Sequence, residues 1–248
     1  MARDPWLPTL RSGVPAAPRV FCLPYAGGGA SMFAPWAIAS GGRLDICAVH
    51  LPGRESRLAE DAFTSTDTLV PVLVDRLTPH LDRPYSLFGH SMGALLAFET
   101  ARELRRRGLP SPVRLFASGF RAPHLPERFP NRRALDDEAF IAELRTLAGT
   151  PDEVVADEEM MALLLPTLRA DVTLCETYLH RAGDPLDVPL TVFGGANDPR
   201  VSSEELEGWH RHTRAGMELR VFPGHHFFLK PHRAAVVAAI AERLSPSR

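Results

Sequence analysis

Short apolar runs alternate with longer amphipathic stretches along most of this chain. Runs of strand length lie at 19–23, 44–49, 83–89, 113–118, 190–193 and 218–222. Helical patterns lie at 30–39, 66–81, 92–105 and 231–244, and in the second of these a leucine recurs every fourth residue. The alternation predicts an α/β fold with a mainly parallel sheet and helices on both faces.

The segment from about 124 to 181 has no strand pattern and interrupts this alternation. Its apolar residues predict a helical insertion between the fourth and fifth strands. Such an insertion is typical of a lid over an active site, and an extra packing layer is the alternative. Residues 1–18 are rich in proline and small polar residues and are predicted to be a loosely held lead-in, which leaves 19–248 as a single domain.

The composition is that of a globular protein with a large core. Apolar residues make up 45% of the 248 residues, and the formal net charge is −2. So small a charge gives no general attraction to nucleic acid or to an anionic membrane, and neither is expected as a partner. No signal-peptide pattern and no apolar run of about 18 residues is present, which predicts a cytoplasmic protein. Cys22, Cys47 and Cys175 are expected to be free thiols, and the pair His210-x-His212 lacks a metal-binding framework, so no metal is expected.

The segment Gly89-His90-Ser91-Met92-Gly93 matches the pattern G-x-S-x-G, which places a serine on a sharp turn between a strand and a helix. A predicted buried strand precedes it, and a strong helix pattern follows it. Glycines are needed there because the serine has a strained backbone that crowds its neighbours. We therefore predict that Ser91 is a catalytic nucleophile on an α/β-hydrolase fold.

A serine hydroxyl needs a base, and the base needs an orienting carboxylate. In this fold the acid and then the histidine follow the serine along the chain. Asp198 comes directly after the fifth predicted strand, where the acid is expected, whereas Asp184 and Asp187 precede that strand. The loop after the last strand contains His225 and His226. On spacing alone, either histidine could be the base.

Two backbone N–H groups are expected to stabilise the negative oxygen that forms during acyl transfer. One belongs to Met92, directly after the nucleophile. The other is expected from Ala26 or Gly27, in the glycine-rich loop that follows the first strand. A phosphate-binding loop is the rival interpretation, but no Lys-Ser/Thr pair follows these glycines.

Six short segments lie in order along the chain: LPYAGG at 23–28, HLPGRE at 50–55, GHSMG at 89–93, SGFRAP at 118–123, FGGAND at 193–198 and PGHHFF at 223–228. Together they resemble the stand-alone type II thioesterases of polyketide and nonribosomal peptide synthesis, over nearly the whole chain from about residue 19. The resemblance places the nucleophile on Ser91, the acid on Asp198 and the base on His226, the histidine directly before Phe-Phe.

The resemblance implies hydrolysis of acyl thioesters on the phosphopantetheine arm of an acyl or peptidyl carrier protein, which removes stalled or wrongly loaded units. It implies no cofactor, and a monomer is expected. The helix around 160–168 is expected to wall the acyl chamber. Substrate contacts are predicted at Tyr25, Gly27, Arg54, Met160 and Leu164.

The carrier protein would be an acidic helical partner, and two groups of arginines are candidates to receive it. They are Arg102, Arg105, Arg106 and Arg107, and near the insertion Arg128, Arg132 and Arg133. A solvated, charged helix face is the alternative explanation of the first group. Two other functions stay open: a carboxylester hydrolase or lipase with the same triad, and a non-catalytic ligand-binding protein of the same fold.

Overall fold

A parallel β-sheet forms the centre of the molecule. The computed structural model describes residues 4–8, 17–127, 131–146 and 157–245. The strands in these ranges are β1 (Arg19–Leu23), β2 (Asp45–Ala48), β3 (Tyr85–His90), β4 (Arg114–Ser118), β5 (Leu190–Gly195) and β6 (Met217–Phe222). They pair in the order β2-β1-β3-β4-β5-β6, and each neighbouring pair is parallel. The predicted α/β fold is confirmed.

Seven α-helices accompany the strands in the described ranges. They are α1 (Ala34–Ser40), α2 (Thr66–Leu77), α3 (Met92–Arg106), α4 (Asp137–Thr146), α5 (Glu158–Glu176), α6 (Ser203–Glu207) and α7 (Arg233–Leu244). The helix predicted at 66–81 ends at Leu77 and continues as a 3₁₀ turn, Thr78–His80, because Pro79 cannot donate the next α-helical hydrogen bond. None of the helices built from described residues is long and apolar enough to cross a membrane.

Two hydrophobic layers cover the two faces of the sheet. Helices α2 and α3 contribute Leu73 and Leu95 to one layer, and α1 and α7 contribute Trp36 and Ile240 to the other; all four side chains are at most 1% exposed. Successive strand residues alternate between the layers, as strand geometry requires. Strands buried on both faces carry apolar residues at almost every position, which explains why they are short apolar runs in the sequence.

Residues near the start of the chain contribute to the core. Trp6 and Leu7 are 4% and 3% exposed and belong to the core layer of α2 and α3. The Trp6 carbonyl accepts a 2.8 Å hydrogen bond from the N–H of His50. Within the predicted lead-in of 1–18, residues 4–8 are thus packed against the core in this structure. A buried indole removes a large apolar surface from water, and this anchor outweighs the proline-rich composition around it.

The insertion between β4 and β5 is helical in its described part, since α4 and α5 belong to it. These two helices share a small hydrophobic core of their own, made of Phe140, Leu144, Met161, Leu168 and Val172. Residues 128–130 and 147–156 of the predicted insertion lie outside the described residues. That the insertion acts as a lid stays a prediction.

A cluster of three histidines joins the two ends of the insertion to the core. The ring centres of His124 and His180 lie 5.0 and 5.1 Å from that of His212. Burial, and then the neighbouring His180 and His124, lower the pKa of His212 to about 3. Burial also lowers the pKa of His124 and of His180. In the part of the chain that is described, no group of three or more His, Cys, Asp or Glu side chains is arranged to hold a metal ion.

We expect this cluster to make folding stability depend on pH. Because the pKa of His212 is lowered in the folded state, the unfolded chain binds more protons between about pH 6.5 and the folded pKa near 3, and stability falls as the pH falls through that window. Urea unfolding at pH 7.5 and pH 5.5 measures the loss. The loss should be smaller in His212→Gln, whereas the exposed control His210→Gln should behave like the wild type. Equal losses in the wild type and His212→Gln would contradict the assignment.

Candidate active site

The turn that carries Ser91 has the strained geometry expected of its motif. Ser91 lies between β3 and α3 with a φ of 53°, in the left-handed region. A Cβ on Gly89 would lie 1.9 Å from the carbonyl oxygen of Gly93, and a Cβ on Gly93 would lie 2.2 Å from that of Leu23. No side chain fits at either glycine. The turn places Ser91 at the carboxyl end of β3 and at the positive end of the α3 dipole.

Asp198 and His226 form a buried pair. The Nδ1 atom of His226 lies 2.8 Å from Asp198 Oδ2, and the two side chains are 8% and 1% exposed. Asp198 Oδ1 accepts a second hydrogen bond, 2.9 Å long, from the N–H of Arg200. With Nδ1 held by the carboxylate, the Nε2 atom of His226 is left to exchange a proton with another group.

His225 takes a different place. It is exposed, and its Nδ1 atom lies 2.8 Å from the carbonyl oxygen of Asn197. Of the two histidines that spacing left open, His226 is the one that contacts Asp198. This geometry favours His226 as the base. His225 instead contacts the backbone of the loop that carries Asp198.

Backbone contacts hold the acid loop and the histidine loop together. The N–H of Asn197 donates to the Gly224 carbonyl at 2.9 Å. A Cβ on Gly195 would lie 2.4 Å from the His225 carbonyl oxygen, so the close approach of the two loops requires glycine at the end of β5. The Asp198–His226 pair therefore rests on rigid backbone rather than on the side chains alone.

The N–H groups of Met92 and Ala26 are the predicted oxyanion donors. Neither the N–H of Met92 nor that of Ala26 donates to another described residue, and Ala26 lines the same cavity as Ser91. The N–H of Gly27, the alternative donor, is already engaged, because it donates to Asp171 Oδ2 at 2.7 Å. The arrangement favours Ala26 over Gly27 as the second oxyanion donor.

A cavity of about 110 Å³ contains Ser91 and His226 in its lining. Its apolar lining residues include Leu168 and Val172 of α5. Its charged lining residues include Arg121, which pairs with Glu127 at 3.1 Å. The lining of the cavity thus combines apolar and charged side chains.

Two of the predicted substrate contacts lie at or beside this cavity. Tyr25 lines it, and its ring meets that of Phe227 edge to face with 4.9 Å between the centres. Burial raises the pKa of the Tyr25 phenol. Gly27 lies against Leu168, since a Cβ at Gly27 would be 2.4 Å from Leu168 Cδ2. That Tyr25 and Gly27 contact substrate stays a prediction.

Met160 and Leu164 do not line the cavity formed by the described residues, and their contacts with substrate stay predictions. Met160 is 41% exposed, and neither residue is among those that line the cavity. Helix α5 rises about 1.5 Å per residue, so Met160 lies roughly 12 Å along its axis from Leu168. The apolar pattern identified the helix correctly, but the cavity is lined by its later turns.

Arg54 has other partners in this structure, and a substrate contact from it stays a prediction. Arg54 is 4% exposed and is not among the residues that line the cavity. Its guanidinium donates to both carboxylate oxygens of Asp171 at 2.9 Å, and to the carbonyls of Gly28 and Pro52 at 3.1 Å. A buried charge needs such partners. Sequence reasoning missed Asp171, whose signal is a single carboxylate within the apolar pattern of a buried helix.

The His90 ring packs against the ring of His226. His90 is fully buried, its Nδ1 atom is 2.9 Å from Ser118 Oγ, and its ring centre is 5.1 Å from that of His226. Burial, and then charge on His226 and Lys230, hold the pKa of His90 well below its usual range. His90 is therefore neutral at pH 7 and packs the floor of the site.

Comparisons of the sequence and of the structure with known proteins point to the same family. A sequence model of the thioesterase domain matches residues 18–244. The chain is 41% identical over 226 residues to the gramicidin S biosynthesis protein GrsT of Aneurinibacillus migulanus, covering 91% of this chain and 88% of that protein. It is similar to the structure of BorB, a type II thioesterase from the borrelidin biosynthetic cluster, with a TM-score of 0.90 and 40% identity over 99% of this chain and 100% of that one. It is also similar to YbtT, a type II thioesterase from the yersiniabactin NRPS/PKS biosynthetic pathway, with a TM-score of 0.83 and 32% identity over 94% of both chains.

Proposed function

This chain belongs to the thioesterase family, among the type II thioesterases of polyketide and nonribosomal peptide pathways, and on that premise we propose that it hydrolyses acyl thioesters on the phosphopantetheine arm of a carrier protein. Its task is to clear stalled or wrongly loaded acyl units. One observation carries the proposal: Ser91, His226 and Ala26 line one cavity, and His226 pairs there with the buried Asp198.

In the first half of the reaction, Ser91 Oγ attacks the thioester carbonyl carbon while His226 Nε2 takes its proton. Asp198 stabilises the imidazolium that forms. The carbonyl oxygen becomes negatively charged and accepts hydrogen bonds from the N–H groups of Met92 and Ala26. The carbon–sulfur bond then breaks, and His226 returns the proton to the pantetheine sulfur, which leaves an acyl ester on Ser91.

In the second half, His226 takes a proton from water, and the hydroxide formed attacks the acyl ester. Collapse of the intermediate releases the free carboxylic acid and returns the proton to Ser91 Oγ. A thiol has a pKa near 8.5 and leaves more readily than an amine, so His226 has less protonation to supply than in a peptidase. The reaction needs no cofactor.

The cavity favours a short acyl group. Its volume of about 110 Å³ is smaller than the roughly 150 Å³ cavity that accepts benzene in another protein. Leu168 and Val172 would contact the alkyl part of the acyl group. The insertion that carries these residues acts as the lid over the site in this proposal.

The carrier protein is the proposed partner. In the first group of arginines, Arg102–Arg107, the positive charges are largely compensated by neighbouring groups. Arg102 pairs with Glu99 at 2.9 Å, Arg106 with Glu103 at 2.6 Å and Arg107 with Asp75 at 2.5 Å, while Arg105 donates to the carbonyls of Asp184 and Pro185. This pairing favours the solvated helix face over docking. In the second group, Arg132 pairs with Glu176, and Arg128 lies outside the described residues. The monomeric state and the cytoplasmic location stay predictions.

The direct test compares a thioester with its oxygen analogue. The wild type is incubated with acetyl- and hexanoyl-carrier protein, and deacylation is followed by mass spectrometry against a reaction without enzyme. Matched oxygen esters of the same acyl groups are measured alongside. We expect kcat/KM to be higher for the carrier-bound thioester than for the oxygen ester, and higher for acetyl than for hexanoyl.

Each opposite outcome has a distinct meaning. Faster hydrolysis of the oxygen ester would identify a carboxylester hydrolase. Absence of turnover on both substrates, with saturable binding of a short acyl compound, would identify a ligand-binding protein of this fold.

A further inference from the structure

A buried carboxylate on the insertion helix α5 holds the loop that carries Ala26. Asp171 is 2% exposed, and its Oδ2 atom accepts a 2.7 Å hydrogen bond from the N–H of Gly27. The Ala26 N–H lies in the preceding planar peptide unit, whose Tyr25 carbonyl accepts a 2.8 Å hydrogen bond from the N–H of Gly28. Holding Gly27 and Gly28 in place therefore restricts how the Ala26 N–H can be oriented.

Arg54 holds the same loop from its other side. Its guanidinium binds both oxygens of Asp171 and also donates to the Gly28 carbonyl at 3.1 Å. Asp171 thus binds the Gly27 N–H, and Arg54 binds the Gly28 carbonyl. These two side chains are also bound to each other. A bidentate pair of this kind fixes both distance and orientation.

The residue after Arg54 extends this support. Glu55 has a φ of 51°, and its carboxylate accepts hydrogen bonds from the N–H groups of Ala30 and Ser31 at 3.1 and 3.0 Å. A Cβ on Gly29 would lie 2.1 Å from that carboxylate. The loop is therefore anchored along its length, and Asp171 is the anchor that belongs to the insertion.

We propose that Asp171 and Arg54 are positioning residues that orient the Ala26 N–H of the oxyanion hole, so that the hole is complete only when α5 is docked on the core. This inference rests on the proposed function, because it assigns a role within that reaction. In this role both residues act through the loop and need no contact with substrate. Movement of α5 away from the core would carry Asp171 off the Gly27 N–H and release the donor next to it.

The test removes the ion pair without leaving a buried charge. Replacing both partners of a buried pair by apolar side chains of similar size often leaves stability unchanged, whereas removing one partner does not. In the double variant Arg54→Met/Asp171→Leu we expect kcat to fall about 10²-fold, as for loss of one oxyanion donor, while KM changes little. Arg54→Lys, which keeps a cation beside Asp171 and leaves the Gly27 bond in place, should retain most of kcat.

The chain supplies a matched control at the opposite edge of the sheet. Arg19 and Asp45 form another buried ion pair, 3.3 Å apart, at the first residues of β1 and β2, and Arg83 also pairs with Asp45. The double variant Arg19→Met/Asp45→Leu removes a buried ion pair away from the loop. We expect it to keep the wild-type kcat, whatever its thermal midpoint.

Hydrogen exchange on the unmodified protein provides an independent readout. In a peptide that spans residues 25–29 we expect slowly exchanging amide positions in the wild type, because the Gly27 N–H is bonded to a buried carboxylate, while the unengaged Ala26 N–H exchanges fast. Exchange of that peptide at the rate of an unprotected loop would overturn the inference, as would a wild-type kcat in the folded Arg54→Met/Asp171→Leu variant. A wild type that fails to hydrolyse thioesters would instead overturn the proposed function.

Discussion

Replacing Ser91 by alanine is expected to lower kcat for thioester hydrolysis by about 10⁴-fold or more. The variant lacks the nucleophile, so no acyl-enzyme can form, and only the oxyanion donors and binding remain. Single-turnover deacylation of an acyl-carrier protein, followed by mass spectrometry, measures the loss. In the wild type the same experiment should show a transient protein species with the mass of the acyl group added. Comparable rates in the two proteins would contradict the mechanism as a whole.

The backbone at this position supplies the control. With a φ of 53°, Ser91 has a conformation that glycine adopts with less strain than alanine or serine. Ser91→Gly should be as inactive as Ser91→Ala, and it should be more stable by about 1 kcal/mol in urea unfolding. Equal stability would show that the turn relaxes when the serine is removed.

Replacing His226 by alanine is expected to lower kcat by a similar factor of about 10⁴. His226 contacts Asp198 through Nδ1 and lines the cavity that contains Ser91, so its loss removes the base. The adjacent His225 is a matched control, because it is exposed and its Nδ1 atom lies beside the Asn197 carbonyl rather than Asp198. His225→Ala should keep kcat within about tenfold of the wild type.

The two variants are compared under the same single-turnover conditions, with thermal unfolding to confirm that both are folded. A larger loss of kcat in His225→Ala than in His226→Ala would identify His225 as the base. Equal and small losses in both would show that neither histidine is the base, and that the Asp198–His226 pair is structural.

Much of the fold follows from local patterns in the sequence. The strand predicted at 19–23 has the bounds observed for β1, and the helix predicted at 92–105 ends one residue later in α3. Both elements are buried along most of their length, so most of their residues are apolar and the bounds of each element are visible in the sequence. The prediction was less accurate at 66–81, where Pro79 changes the type of helix.

The candidate site could also be predicted largely from the sequence, because each candidate catalytic residue lies in the turn or loop directly after a strand. The nucleophile turn and the loops after β5 and β6 lie at one edge of a parallel sheet, where carboxyl ends of strands meet. Chain order alone therefore pointed to Ser91 and Asp198. Spacing could not choose between His225 and His226, since adjacent residues in one loop differ only in direction.

The sequence by itself determined the alternation of strands and helices, the strained serine turn and the order of the candidate catalytic residues. Each of these depends on interactions between residues close in the chain, or on the geometry common to all parallel sheets. Only the tertiary structure decided that Trp6 is core, that Arg54 pairs with Asp171, and that α5 faces the cavity with Leu168 rather than with Met160. These contacts join residues distant in the chain, in the case of Arg54 and Asp171 by 117 positions, and a buried charge or an aromatic ring finds its partner only when the elements pack.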